Sequence, residues 1–209
     1  HQHRLGPAQA EPHVRRPERQ LRAHRLGQDQ QRRLGREALL AHPLCMQALA
    51  DIYGVGNAKG QRLPLIQVPT TAGTGSETTM VAVISDTDKG VKVPFTSYFL
   101  MSTAAVLDPR MTLTLPPHIT AMTAMDAMTH AIEAFTCLGA NPISDAYATG
   151  AIRKISENLL KVMDNPSDAD ARLELAQAST MAGIAFSNAM VGLVHSLGHA
   201  TGAVCHLPH

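Results

Sequence analysis

Two pairs of residues, each four apart inside an apolar helical run, constrain this chain more than any other feature. Asp126 and His130 lie in a run whose apolar residues recur at helical spacing (Met122, Met125, Met128, Ala131, Ile132, Phe135). His195 and His199 repeat the interval in a second apolar segment, and His209 follows ten residues later. Positions i and i+4 share a helix face, so each pair can aim at one spot. One carboxylate with two or three imidazoles suits Fe²⁺, Zn²⁺ or Mn²⁺ better than Ca²⁺, Mg²⁺ or Cu(I). A histidine on an apolar helix also serves as a hydrogen-bonded core residue, and spacing alone leaves both readings open.

The text around these pairs is helical from the prolines at 116 and 117 almost to the end, since proline suits a first helical turn. The spacing predicts helices over 118–137, 143–163 and 168–189, and a fourth segment bearing His195 and His199. Alanines at helical spacing let these helices pack closely, while Arg153, Lys154, Glu157 and Lys161 fall on a solvated face.

Upstream the pattern differs. Residues 46–52 permit a helix end and 53–57 a loop. Residues 63–68 (LPLIQV) read as a buried strand, followed by PTTAGTGSET over 69–78. Small hydroxyl and glycine residues just past a strand let the backbone approach a phosphate or ribose, although an ordinary turn has the same composition. Residues 79–85 alternate like a strand, 86–90 signal a hairpin turn, and 91–93 return as its partner. Lys92 can reach a phosphate or a ribose, or stand solvated. A short buried strand is expected at 103–107. These readings divide the chain into a basic segment over 1–44, an α/β part over 45–113 and a helical part over 114–209.

Composition narrows the function classes. A net charge of +1 argues against nucleic acid or a membrane surface as the main partner, and no apolar run approaches the ~18–20 residues of a transmembrane helix. Cys45, Cys137 and Cys205 are scattered without metal or redox spacing, which fits a reducing cytoplasm, and no secretory leader is expected. Nine of the thirteen arginines lie between Arg4 and Arg36, and the first lysine is Lys59. So polar an opening stretch is expected to pack poorly. A basic nucleic-acid arm is disfavoured because no aromatics interleave the arginines, and a GC-rich gene read out of frame gives similar text.

Several pieces together resemble the iron-containing (group III) alcohol dehydrogenases: PTTAGTGSE, the TAAVLDP strand end, LPPHITAMTAMDAMTHAIEAF and GLVHSLGHATGAVCHLPH. The resemblance runs from about Asp51 to His209. It implies an α/β nucleotide-binding part followed by an all-α metal-binding domain (dehydroquinate synthase-like), incomplete at both ends, with the site in the cleft between them. By motif, Asp126, His130, His195 and His209 would hold Fe²⁺, or Zn²⁺ in some members. His199 would lie near the nicotinamide and act catalytically, relaying a proton. Thr70, Thr71, Thr74 and Lys92 would contact NAD or NADP. The substrate would be a small or primary alcohol or the matching aldehyde, and full-length members often form homo-oligomers. Glu133, just short of a turn past His130, reads as a structural carboxylate or one supporting a ligand. Residues 1–50 lack the family's Gly-Gly-Gly-Ser pyrophosphate loop, and the family continues through further helices beyond the equivalent of His209. An inactive fragment and a metal-dependent lyase or synthase on the related fold are the alternatives; the histidine pattern beside TTAGTGSE speaks against the second.

Overall fold

A computed structural model describes residues 51–59, 64–86 and 91–205 of the chain, with backbone alone for residues 85–86, 91–92 and 203–204. The segment 1–44, the turn at 87–90 and His209 therefore lie outside the described residues, as does nearly all of the helix end expected at 46–52.

Among the described residues, five strands precede four α-helices. A three-stranded sheet has the order β1–β4–β3, formed by β1 (Gly54–Val55), β3 (Val81–Asp86) and β4 (Val91–Thr96). The expected hairpin forms, with β3 antiparallel to β4 from Val81 opposite Thr96 to Asp86 opposite Val91. The partner strand runs past Pro94 to Thr96, longer than the 91–93 expected. The expected loop at 53–57 holds a short strand instead, parallel to β4 with Gly54 opposite Phe95. Glycines at 54 and 56 with φ of +95° and +72° let the chain enter and leave so short a pairing. Beneath it, Ile52, Ala58, Ala82, Phe95 and Leu100 make a small core.

The other two strands are β2 (Ile66–Gln67) and β5 (Ala104–Ala105), paired in parallel. Both are shorter and more open than the sequence suggests. Ile66 is 65% exposed and both alanines of β5 are exposed, so neither is the buried strand its apolar residues imply.

The helices are α1 (Pro117–Thr136), α2 (Pro142–Asp164), α3 (Ala169–Ala189) and α4 (Leu193–Cys205), within a residue or two of expectation where one was given. Their ends follow from local chemistry. Asn141 and Ser144 form a reciprocal capping box on α2, and the Asp168 carboxylate accepts from the Ala171 amide at the start of α3. The chain leaves α3 through Met190 at φ +79°, unusual for a side chain larger than glycine, and α4 departs 106° from the α3 axis. No single described helix is long and apolar enough to cross a membrane.

The main core lies among α1, α2 and α3, and alanine dominates it. Ala131, Ala134, Ala148, Ala151, Ala178, Ala182 and Ala185 are wholly buried, and Ile155 and Val162 are the largest fully buried apolar side chains. The alanines pack the helices closely, as their spacing suggests. Met125, Ile132 and Phe135 face outward, and the buried stripe is Ala124, Ala127, Ala131 and Ala134. Small side chains win the inner face because they let helix backbones approach, which brings more atoms into dispersion contact.

The same closeness fastens the 69–78 loop to the helices. Its Gly75 backbone lies on Gly183 of α3, and a Cβ on Gly183 would come within 2.6 Å of Gly75 O and Thr78 Oγ1. The Gly75 amide donates to Ser179 Oγ (3.1 Å), and Thr78 Oγ1 donates to Thr180 O (3.2 Å). Glu77 is buried there and accepts from Thr180 Oγ1 (2.6 Å); burial holds its carboxyl above the usual range.

Two predictions follow from this joint. Gly183→Ala should lower stability by about 1–3 kcal/mol in urea unfolding, because backbone must move to admit the methyl. Gly150→Ala should cost little, since its methyl would meet only the flexible end of Met181; equal losses in the two variants would refute this account. The raised pKa of Glu77 means stability present below its ordinary 4.5 and lost as pH rises through the folded value. Glu77→Gln should therefore gain stability over wild type at pH 7 relative to pH 4, and a difference independent of pH would contradict it.

Candidate metal centre

Helix α1 presents Asp126, His130 and Glu133 along one stripe at i, i+4 and i+7, facing the first turn of α4. The bend after Met190 swings α4 back so that His195 meets this stripe. Asp126 Oδ1 lies 3.8 Å from His130 Nε2 and 3.5 Å from His195 Nε2. One ligand atom from each of the three residues falls within 4.8 Å of the others, and both histidines are buried. The two imidazoles stack, with centroids 4.3 Å apart and planes 17° apart, and Phe186 stacks on the far face of His130 at 4.5 Å.

The charges explain why such an arrangement wants a cation. Burial depresses the His130 pKa, against the pull of the Asp126 charge. Burial acts the same way on His195, but hydrogen bonds and charge from Asp126 and Glu133 outweigh it and hold that ring above its usual value. Glu133 is held below the usual carboxylate range: burial opposes this, and His195 with the backbone of Gly192 and Val194 prevails. With neutral rings the cluster carries two negative charges in a buried place. One divalent ion balances them, and the two Asp–His distances of 3.8 and 3.5 Å are close to the ~3.4 Å set by ~2.1 Å bonds in a tetrahedron. The donor set fits the metal that the sequence implies.

A cavity of about 400 Å³ opens from this cluster toward the sheet. Asp126, His130, His195 and His199 line one part of it, and residues of β3, β4 and the 74–79 stretch line another. His199 stands edge-on to His195 with centroids 6.0 Å apart. Thr74 lines the cavity and accepts from the Ser76 amide (3.2 Å), whereas Thr70 and Thr71 are half-buried on the loop outside that lining. Lys92 is placed only by its backbone, opposite Ser85 in β4. His209, the fourth ligand implied by motif, lies outside the described residues.

The structure adds two residues that the sequence did not single out for the cavity. Gln67 is buried in β2 and lines it, and its Oε1 has no hydrogen-bond partner among the described residues. A glutamine in an otherwise apolar strand was the available signal. Phe186 follows an alanine-rich stretch that gives no hint of its stacking on His130.

Comparison with known proteins agrees with this geometry. A family model for iron-containing alcohol dehydrogenases matches residues 37–109, and one for the C-terminal part of the Fe-containing alcohol dehydrogenase family matches residues 120–209. "Probable alcohol dehydrogenase EutG" of Salmonella typhimurium is 51% identical over 148 residues, which are 71% of this chain and 38% of that protein. "NAD-dependent methanol dehydrogenase" of Bacillus methanolicus is 43% identical over 159 residues, 76% of this chain and 42% of that protein. The chain thus spans about two-fifths of the length of these relatives. Among solved structures, 1,3-propanediol oxidoreductase superposes with a TM-score of 0.80 at 35% identity, covering 84% of this chain and 46% of that one. A sulfoacetaldehyde reductase from Bifidobacterium kashiwanohense in complex with NAD⁺ gives 0.80 at 33% identity, covering 86% and 48%. With a small sheet region followed by a helical part, and both family models matched in order, the chain belongs to the iron-containing alcohol dehydrogenase family.

Proposed function

We propose that this chain carries the metal- and cofactor-binding region of an NAD(P)-dependent alcohol dehydrogenase that works on a small or primary alcohol and its aldehyde in a reducing cytoplasm. The observation that carries this reading is the convergence of Asp126, His130 and His195 on a cavity shared with the 74–79 stretch. Fe²⁺ is the favoured ion, and Zn²⁺ suits the same nitrogen and oxygen donors. His209 completes the ligand set in this reading. The ion supplies Lewis acidity toward the substrate oxygen, which eases loss of the alcohol proton and polarises the aldehyde in reverse.

The chain's own residues do the rest. Phe186 and Val191 give the metal end of the cavity an apolar lining that excludes water. Thr74 offers its hydroxyl to the cofactor, with Thr70, Thr71 and Lys92 contributing around it. NAD is supported by the relatives, one named for it and one solved with it. His199, one helical turn beyond His195, takes the alcohol proton and passes it toward solvent.

Anaerobic reconstitution with Fe²⁺ should yield a protein that reduces NAD⁺ or NADP⁺ with at least one short alcohol and stops when a chelator removes the metal. Asp126→Asn or His195→Ala should abolish metal retention and lower the rate more than ~100-fold. A reconstituted protein holding no metal would remove the reading. His199→Asn should keep its metal content while kcat falls by roughly 10²-fold or more. An unchanged kcat would assign the proton relay elsewhere.

A further inference from the structure

Glu133 touches two parts of α4 at once. Its Oε2 makes a short hydrogen bond with His195 Nδ1, and its Oε1 accepts from the Val194 amide (2.6 Å) and the His195 amide (3.4 Å). The backbone at Gly192 also lies close, since a Cβ there would stand 3.3 Å from Oε1 and press it by a few tenths of an ångström. The carboxylate is buried, yet both its oxygens are engaged.

An ionised carboxylate only accepts hydrogen bonds. Both ring nitrogens of His195 face such a group: Nδ1 makes a short hydrogen bond with Glu133 Oε2, and Nε2 stands 3.5 Å from Asp126 Oδ1, at the outer limit of a hydrogen bond. In the neutral ring the closer partner keeps the proton on Nδ1, and the Nε2 lone pair is turned toward Asp126 and His130. We propose that Glu133 is the positioning residue of the centre: one oxygen selects the tautomer of His195 that can bind a cation, and the other fixes the first turn of the helix that carries it. This rests on the reading that Asp126, His130 and His195 hold a divalent ion.

Glutamine distinguishes this from a mere tether. Its carbonyl can accept from the Val194 amide, but its NH₂ then donates into Nδ1 and drives the ring proton to Nε2, where it obstructs the ion. Turned over, the amide accepts from Nδ1–H and sets its NH₂ against the Val194 N–H, donor to donor. A carboxylate alone satisfies both sides.

The test uses ¹⁵N-histidine-labelled protein, stripped of metal, at alkaline pH where the rings are neutral. The wild type should show His195 protonated on Nδ1, and Glu133→Gln should move that proton to Nε2. Zn²⁺ affinity, measured by competition with a chromophoric chelator, should fall about 10–100-fold in the variant. A variant whose His195 keeps its Nδ1 proton overturns the proposal. Should the glutamine variant fail to fold, Gly192→Ala decides: it crowds Oε1 without altering charge and should weaken Zn²⁺ several-fold, so affinity within about twofold of wild type overturns the proposal. A wild type that binds no divalent ion would sink the dehydrogenase reading, and the tautomer measurement would still settle this one.

Discussion

The backbone of the 69–78 loop lies directly on two helices, and the geometry of the site depends on that contact. Gly75 rests on Gly183 of α3, and a Cβ on Gly73 would strike the Thr123 backbone of α1 at 2.7 Å. Thr123 is three residues before Asp126, less than one helical turn. The loop that faces the cavity and the first ligand of the candidate metal centre are therefore fixed to each other through a single turn of α1. Any side chain at Gly73 or Gly183 would wedge the loop from the helices and widen the cavity from its floor.

Closeness of this kind explains the choice of core residues. A bundle filled with leucine would hold its axes apart, and the loop would lose either its contact with α1 or that with α3. Alanine gives up hydrophobic area per residue, about 25 cal/mol for each Å² not buried, but gains backbone proximity. The polar bonds at the joint (Gly75 to Ser179, Thr78 to Thr180, Thr180 to Glu77) then form at 2.6–3.2 Å across that short gap. Buried Glu77 is tolerable only because an accepting oxygen and a donating hydroxyl meet there.

How much of this the sequence disclosed follows the range of the interactions involved. Helix positions were legible because proline, asparagine and aspartate act within a turn: Asn141 caps α2 and Asp168 caps α3 through their immediate neighbours. The β3–β4 hairpin was legible for the same reason. Strand β1 was read as a loop, and β2 and β5 as longer and more buried strands than they are, because each exists through a parallel partner some forty residues away, which no local pattern encodes. On α1 the apolar spacing showed a helix but not its buried face, since a hydrophobicity pattern weighs methionine and phenylalanine above the alanines that are buried. Asp126, His130 and His195 were singled out by spacing and by family motif, and Glu133 as a structural or supporting carboxylate; which groups Glu133 touches needed the fold, because they lie some sixty residues on and are mostly backbone amides.

The two i,i+4 pairs look alike in the sequence and play different parts in space. Four residues advance a helix by about 6 Å. On α1 the step joins a short carboxylate to a long imidazole, which leans back along the helix and closes the gap to 3.8 Å. On α4 only the first imidazole meets that pair, and Asp126, His130 and His195 each bring one ligand atom within 4.8 Å of the others. Spacing does not make this distinction, because two histidines at i,i+4 on one helix face can also share one ion; the bend after Met190 makes it, by setting the start of α4 against the α1 stripe. His199 lines the cavity one turn further on, its ring centroid 6.0 Å from that of His195, which is where the proposed proton relay needs it.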